Sequence, residues 1–364
     1  MKGFRVKRGD CPDASALIVF LVAILLVLAP RAAVAQNLAI INGEVHTGAG
    51  AVIRGGTVLV ESGVITSVGT DVDIPTGTRI VDATGRIVTP GLFDSSTRLG
   101  VVEVGSYQGT SDGSSGNDRM TAAFSIADGI NPNSSLFPVA RVEGTTRAVV
   151  VPGTGASMIA GTSALINLGS GSLDDMLEVT PLAMYAVLGE GGAGFQGGAR
   201  SLALLRLREV LQDALDYREN KDAYLAGNRR EYSLSRLDLE ALLPVVGGDL
   251  PMVLNVNRAS DILTALKLGE EFGLDLVLNG VGEGWMVAGE IAAAGVPVMT
   301  NAISNMPSFE VLGAAYENVA RMHEAGVTIV LASFDAHNAR NLKQAAGFAV
   351  AYGLPYEVAL QSVT

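Results

Sequence analysis

Cysteine and histidine are scarce in this chain of 364 residues: there is one cysteine, Cys11, and three histidines, His46, His323 and His337. These are the side chains best suited to bind zinc. Cys11 sits in the leading segment, so the rest of the chain has no disulfide framework and no thiolate metal site. Clustered positive charge is missing as well. The formal net charge is −12 with no basic stretch beyond the N-terminus, which excludes nucleic acid and anionic lipid surfaces as natural partners. Internal repeats and low-complexity tracts are absent. With 48% hydrophobic and 17% charged residues, the composition is that of a globular chain and excludes a disordered one.

Long apolar runs are also few. Residues 16–29 form the longest, and about 20 apolar residues are needed to span a bilayer. Lys2, Arg5, Lys7 and Arg8 precede that run, and Ala33-Val34-Ala35 follows it before Gln36. A basic start, a short apolar core and a small-x-small site describe a secretory signal peptide over residues 1–35. The expectation is a protein of the bacterial periplasm or the extracellular space, free of the membrane once that segment is removed.

Residues 36–88 carry strand-length runs rich in β-branched residues. Glu61-Ser62-Gly63 separates two of them as a hairpin turn does. After Pro90 the pattern changes. Candidate strands at 87–93, 147–151, 164–168, 184–188, 252–256, 274–278, 297–300 and 328–334 alternate with helical apolar spacing at 201–217, 236–243, 259–272, 285–294 and 309–325. Eight strands alternating with helices predict an α/β fold, a (β/α)8 TIM barrel over residues 89–364, preceded by a small β-sandwich module over 36–88. The polar stretch 105–135 is too long for a plain connection and reads as an excursion over the barrel mouth.

The phrase Val81-Asp82-Ala83-Thr84-Gly85-Arg86-Ile87-Val88-Thr89-Pro90-Gly91-Leu92-Phe93-Asp94, with Asn42-Gly43 and the Gly63 hairpin ahead of it, resembles the start of an amidohydrolase. Segments 141–151, 251–262, 283–299 and 327–364 resemble later barrel strands of the same superfamily, in its secreted imidazolonepropionase-like branch. The resemblance implies hydrolysis of C–N bonds in amides, cyclic amides or peptide-like substrates. It also implies a metal centre, zinc in active relatives, held by residues at the C-terminal ends of the strands. It further implies that the sandwich is completed by strands returning after the barrel. Because this sequence stops at Thr364, the module is expected to be incomplete and the barrel domain C-terminally truncated.

The ligand positions that the resemblance implies are largely replaced. The two first-strand histidines fall on Ser96 and Arg98, the fourth-strand lysine on Tyr185, the fifth-strand histidine on Asn255 and the sixth-strand one on Asn279. A guanidinium offers only donors and a fixed positive charge, and amide oxygens rarely hold zinc. Asp335, after the eighth strand, stands where the family has a proton-accepting aspartate. It is the candidate catalytic residue, and its other reading is a helix cap near Asn338. Asp94 reads as a packing or supporting residue. Arg98, Asn255, Asn279 and Tyr185 are the candidate substrate-binding residues. No metal site and no cofactor are expected. An Asp335, His337 and Glu190 set is the one alternative metal arrangement. Topology places Arg98 beside Asp335, where the two would pair, with solvent or Glu103 as the other options for the guanidinium. Gly153-Thr154-Gly155-Ala156-Ser157 is a weak phosphate-loop candidate without the lysine of a P-loop.

The function expected is therefore that of an impaired amidohydrolase, or a non-catalytic ligand-binding or structural partner of an active one. A small amide or peptide-like ligand, a second copy of the chain or an active homologue are the partners in view.

Overall fold

The computed structural model describes residues 37–364, so the segment read as a signal peptide, with Cys11, lies outside the described residues. The described chain divides into two compact units, residues 37–47 with 51–89, and residues 48–50 with 90–364.

The first unit is one five-stranded sheet. Its centre is β1 (Leu38–His46), paired antiparallel with β2 (Val52–Glu61) and parallel with both β4 (Arg79–Asp82) and β5 (Ile87–Val88). β3 (Val64–Gly69) lies on the far side of β2. The β2–β3 turn has positive φ at Ser62 (52°) and Gly63 (84°), the pattern of a two-residue hairpin turn matched to strand twist. Asn42 also has positive φ (60°), where the β1–β2 register shifts, and its amide donates to Asp82 Oδ1 at 3.2 Å. A Cβ on Gly43 would lie 2.7 Å from Val88 Cγ2, which accounts for the Asn-Gly pair. The five strands make a single sheet, and no second sheet of a sandwich forms within this unit among the described residues.

The second unit is built on two sheets. One runs β15-β14-β13-β12-β11-β8 and the other β10-β9-β7-β6. The strands are β6 (Leu92–Thr97), β7 (Thr145–Val150), β8 (Ile159–Thr162), β9 (Ala164–Asn167), β10 (Leu177–Val179), β11 (Met184–Val187), β12 (Met252–Val256), β13 (Leu276–Gly280), β14 (Val298–Thr300) and β15 (Ile329–Leu331). All eight strand positions read from the sequence are occupied, yet the closed barrel is corrected in two respects. The ladder is not continuous. The sheets are joined through Ser163 between β8 and β9, and β15 meets β6 through isolated bonds such as Phe334 N–H to Ser96 O (2.9 Å). The third strand is also antiparallel, both where β9 pairs β7 and where β8 pairs β11. β7 turns back on β9 through residues 151–163, with Val150 opposite Ala164, and no helix lies in that connection to carry a parallel crossover. The first strand also begins later than expected: β5 belongs to the first unit, and Pro90-Gly91 breaks the ladder before β6.

From β11 to β15 the sheet is parallel. Its strands alternate between two buried faces. Met252, Leu254 and Val256 pack outward against the helices Arg200–Leu225, Arg236–Gly247 and Ala259–Phe272 in the main core, whereas Val253 packs inward with Tyr185 and Met299. The long helix presents Ala203, Leu207, Val210, Leu211, Ala214 and Tyr217 at intervals of three and four residues, one buried stripe. Ser235 caps the second helix by accepting the Asp238 amide at 3.2 Å, and Gly248 and Gly273, both with positive φ, end the second and third. The helix expected over 309–325 is confined to Asn318–Glu324. Upstream, Gly313 gives its amide to Glu283 (2.9 Å) and its carbonyl to Trp285 (2.8 Å), which removes both from any helical ladder.

Candidate functional site

The alternation that builds the sheet also builds the site. Asn255 lies two residues beyond inward-facing Val253 on β12, and Asn279 two beyond Val277 on β13, so both amides emerge on the inner face at the strand ends. The two are register partners across the parallel pair, and Val187 pairs with Asn255 on the other side. Tyr185 comes from β11 and Ser96 from the end of β6, with Arg98 just beyond it. Ser96, Arg98, Tyr185, Asn255 and Asn279 line one cavity of about 440 Å³. Asn257, Asn301, Asn305 and Phe334 complete its rim. Sequence reasoning missed these four. The usable signal was an asparagine shortly after an apolar strand, repeated after β12 and β14.

Arg98 is the one charged side chain in the cavity wall, which holds no carboxylate and no histidine. The expected Arg98–Asp335 pairing is not made. The Arg98 backbone amide donates to the Asp335 carbonyl (3.2 Å), but the guanidinium turns to Gly153 and forms no ion pair among the described residues. The alternative partner, Glu103, accepts from the Ser135 amide and hydroxyl instead. Asp335 is outside the cavity wall and caps the following turn, accepting from the Asn338 amide (3.1 Å) and side chain (2.9 Å). Burial alone would raise its pKa. The Asn338 hydrogen bonds, with those from the His337 and Ala336 amides, outweigh burial and hold it below the ordinary aspartate value.

Beneath the wall lies Asp94, fully buried. Its Oδ1 accepts from the amides of Ser333 (3.0 Å) and Ser96 (3.3 Å), tying β6 to the end of β15, while Oδ2 has no partner among the described residues. Burial pushes its carboxyl up to about 6 against those hydrogen bonds. Burial also raises the Tyr185 hydroxyl above its usual range, opposed by hydrogen bonding to Ser96 and Ser163.

The stretch 105–135 is stitched along the segment that leads from β7 into β8. Gly113 accepts the Gly153 amide (2.7 Å), Ser115 the Ala156 amide (3.0 Å) and Phe124 the Thr162 amide (2.8 Å), while buried Asp238 accepts both the Thr121 and Ala123 amides at 2.9 Å. Three amides of the Gly153–Ser157 loop, those of Gly153, Ala156 and Ser157, are thus committed to protein partners, which counts against the phosphate-loop reading.

The residues present do not fit the metal that the fold implies. Among the described residues no three or more histidine, cysteine, aspartate or glutamate side chains are grouped so that they could hold a metal ion. The Asp335, His337 and Glu190 set is not assembled: Glu190 pairs with Arg200 (3.4 Å), and Asp335 is the cap just described. The strand ends offer a hydroxyl, a phenol, two amides and a guanidinium.

No protein-family model matches the chain. A solved amidohydrolase from Thermotoga maritima is 26% identical and superposes with a TM-score of 0.80, covering 90% of this chain and 86% of that one. Molinate hydrolase, at 16% identity and a TM-score of 0.51 over 90% and 84% of the two chains, shares the fold. Amidohydrolase tasK from Hapsidospora irregularis is 24% identical over 351 residues, which is 85% of this chain; the chain spans 35% of that relative's length. These similarities support the amidohydrolase superfamily as the family of this chain.

Proposed function

We propose that this chain holds a small amide or peptide-like ligand in the strand-end cavity of an amidohydrolase scaffold, and that it does not hydrolyse that ligand through a bound metal. The observation that carries the reading is the wall itself, where Ser96, Arg98, Tyr185, Asn255 and Asn279 offer neither imidazole nor carboxylate. A catalytic zinc takes three protein ligands and leaves a position open for water, and the fixed charge of Arg98 repels a divalent cation at the same place.

The chain works outside the cytoplasm on this reading, supported by the apolar run and small-x-small site of residues 1–35. No helix of the described residues is long and apolar enough to cross a membrane. Self-association, or pairing with an active homologue, would give such a cavity a use in sensing or presenting the ligand. The test is an amide-hydrolysis assay over N-acyl amino acids, dipeptides and cyclic amides, run with and without added zinc. No zinc-dependent turnover is expected, and zinc-dependent turnover that is lost on Asn255→Ala would overturn the reading.

A further inference from the structure

We propose that Asn42-Gly43 is a self-modification site, at which the exposed asparagine converts to aspartate or isoaspartate and loosens β1, the central strand of the first unit. The site lies within the five-stranded sheet, and nothing in it depends on the ligand-holding function above.

The sequence holds two Asn-Gly pairs, Asn42-Gly43 and Asn279-Gly280. A bulky apolar residue precedes each asparagine, Ile41 or Leu278, so the local sequences are alike. Their settings differ. Asn279-Gly280 sits in a regular parallel ladder, with Asn279 opposite Asn255 and Gly280 opposite Val256, and Asn279 is 8% exposed. Asn42 is exposed, and around it the ladder lapses on both edges of β1. On the β2 edge the register shifts both before and after Gly43. On the other edge the pairing with β4 ends at Ile41, opposite Asp82, and the pairing with β5 begins only at Glu44, opposite Ile87. A strand interrupted in this way opens locally at lower cost than one in an unbroken ladder.

The reaction needs only water. The Gly43 backbone nitrogen attacks Asn42 Cγ, the Cγ–Nδ2 bond breaks, and ammonia leaves with the proton that the attacking nitrogen gives up. Water then opens the cyclic succinimide. Opening at Cγ gives aspartate, and opening at the former main-chain carbonyl gives isoaspartate, with an additional carbon in the main chain. Glycine has no Cβ to obstruct the closing ring, and because the attacking nitrogen is the next in the chain, burial of Gly43 does not shield it. The product disturbs a specific contact. Asn42 Nδ2 donates to Asp82 Oδ1 (3.2 Å), which also accepts from the Thr84 amide (3.0 Å) and hydroxyl (2.7 Å). The Thr84 and Asn42 hydrogen bonds hold the Asp82 carboxyl below the ordinary aspartate value, so it is ionised at neutral pH. Loss of ammonia replaces one of those donors with a second carboxylate, at the last pair of the β1–β4 ladder. Isoaspartate also lengthens β1 between its β4 and β5 partners.

Peptide mass mapping of the purified chain, incubated for weeks under mildly alkaline conditions, tests this. Asn42 should gain the mass of an amide-to-acid exchange about tenfold or more faster than Asn279, with isoaspartate recognised by its own fragment ions. In the chain unfolded in urea the two pairs should convert at similar rates, which assigns the selectivity to the fold. Hydrogen exchange of the β1 and β4 amides should speed up as Asn42 converts. It should stay constant with time in Asn42→Gly, which permits the positive φ and removes the reacting amide. Asn42→Asp should reproduce part of the faster exchange, and Asp82→Asn added to it should reverse that part. Circular dichroism checks that each variant is folded. An Asn42 that stays an amide in the folded chain while the unfolded chain converts overturns the site. Conversion with unchanged exchange in β1 and β4 overturns its effect on the sheet.

Discussion

The Arg98 guanidinium rests against Gly153, with one terminal nitrogen 3.1 Å from where a Cβ on Gly153 would stand. Gly153 is buried and its amide is bonded to Gly113, so the backbone on that side is held and the guanidinium is the part able to move. Gly153→Ala should displace the arginine by a few tenths of an ångström and leave the melting temperature nearly unchanged. A crystal structure of the variant checks this, and a guanidinium that stays in place would show that the position of Arg98 is not set by this contact.

Asp94 makes folding stability depend on pH. Its carboxyl is raised from the ordinary 3.8 to about 6, so the folded chain binds a proton over that interval that the unfolded chain releases. The contribution of this group to stability is therefore fully present below pH 4 and is lost as pH rises through 6. For a shift of this size the span is about 3 kcal/mol. Asp94→Asn removes the titration. The stability of the variant relative to the parent should accordingly rise between pH 4 and 7 in urea unfolding, and a difference that stays constant with pH would contradict the assignment.

Asp335 is positioned as a cap, and its substitution should behave as the loss of one. Asp335→Ala should cost about 1 kcal/mol by leaving the Asn338 amide unpaired. Asp335→Asn should cost less, because an amide oxygen still accepts there. Ligand titration should show no change in either variant. A loss of binding without a loss of stability would return Asp335 to the site.

Much of this was legible in the sequence, and the parts that were not have physical causes. Continuous apolar runs marked eight strand positions, because strands buried on both faces leave that signature, while the short β8 and β10 were not among them. Direction was not readable: β9 turns back on β7 and β8 runs antiparallel to β11 because no crossover helix lies between β7 and β8, which the apolar run itself does not show. The gathering of Ser96, Arg98, Tyr185, Asn255 and Asn279 followed from strand ends sharing one face. The partner of Arg98 did not, since neighbouring strand ends place two backbones together and leave side-chain direction to local bonds. Asn338 already held the Asp335 carboxylate, and the open space beside Gly153 accepted the guanidinium. Asn305 was beyond reach because its place in the wall depends on the contact with Asn318, set in a segment that the pattern assigned to a helix.

The central claim, a cavity without a metal centre, is tested most directly by the zinc content of the chain purified without chelator and measured by inductively coupled plasma mass spectrometry. Clearly substoichiometric zinc is predicted, with no gain in Ser96→His/Arg98→His, because Asn255 and Asn279 still leave the strand ends short of ligands. One tightly held zinc per chain, released only by chelator and with a matching fall in melting temperature, would contradict it.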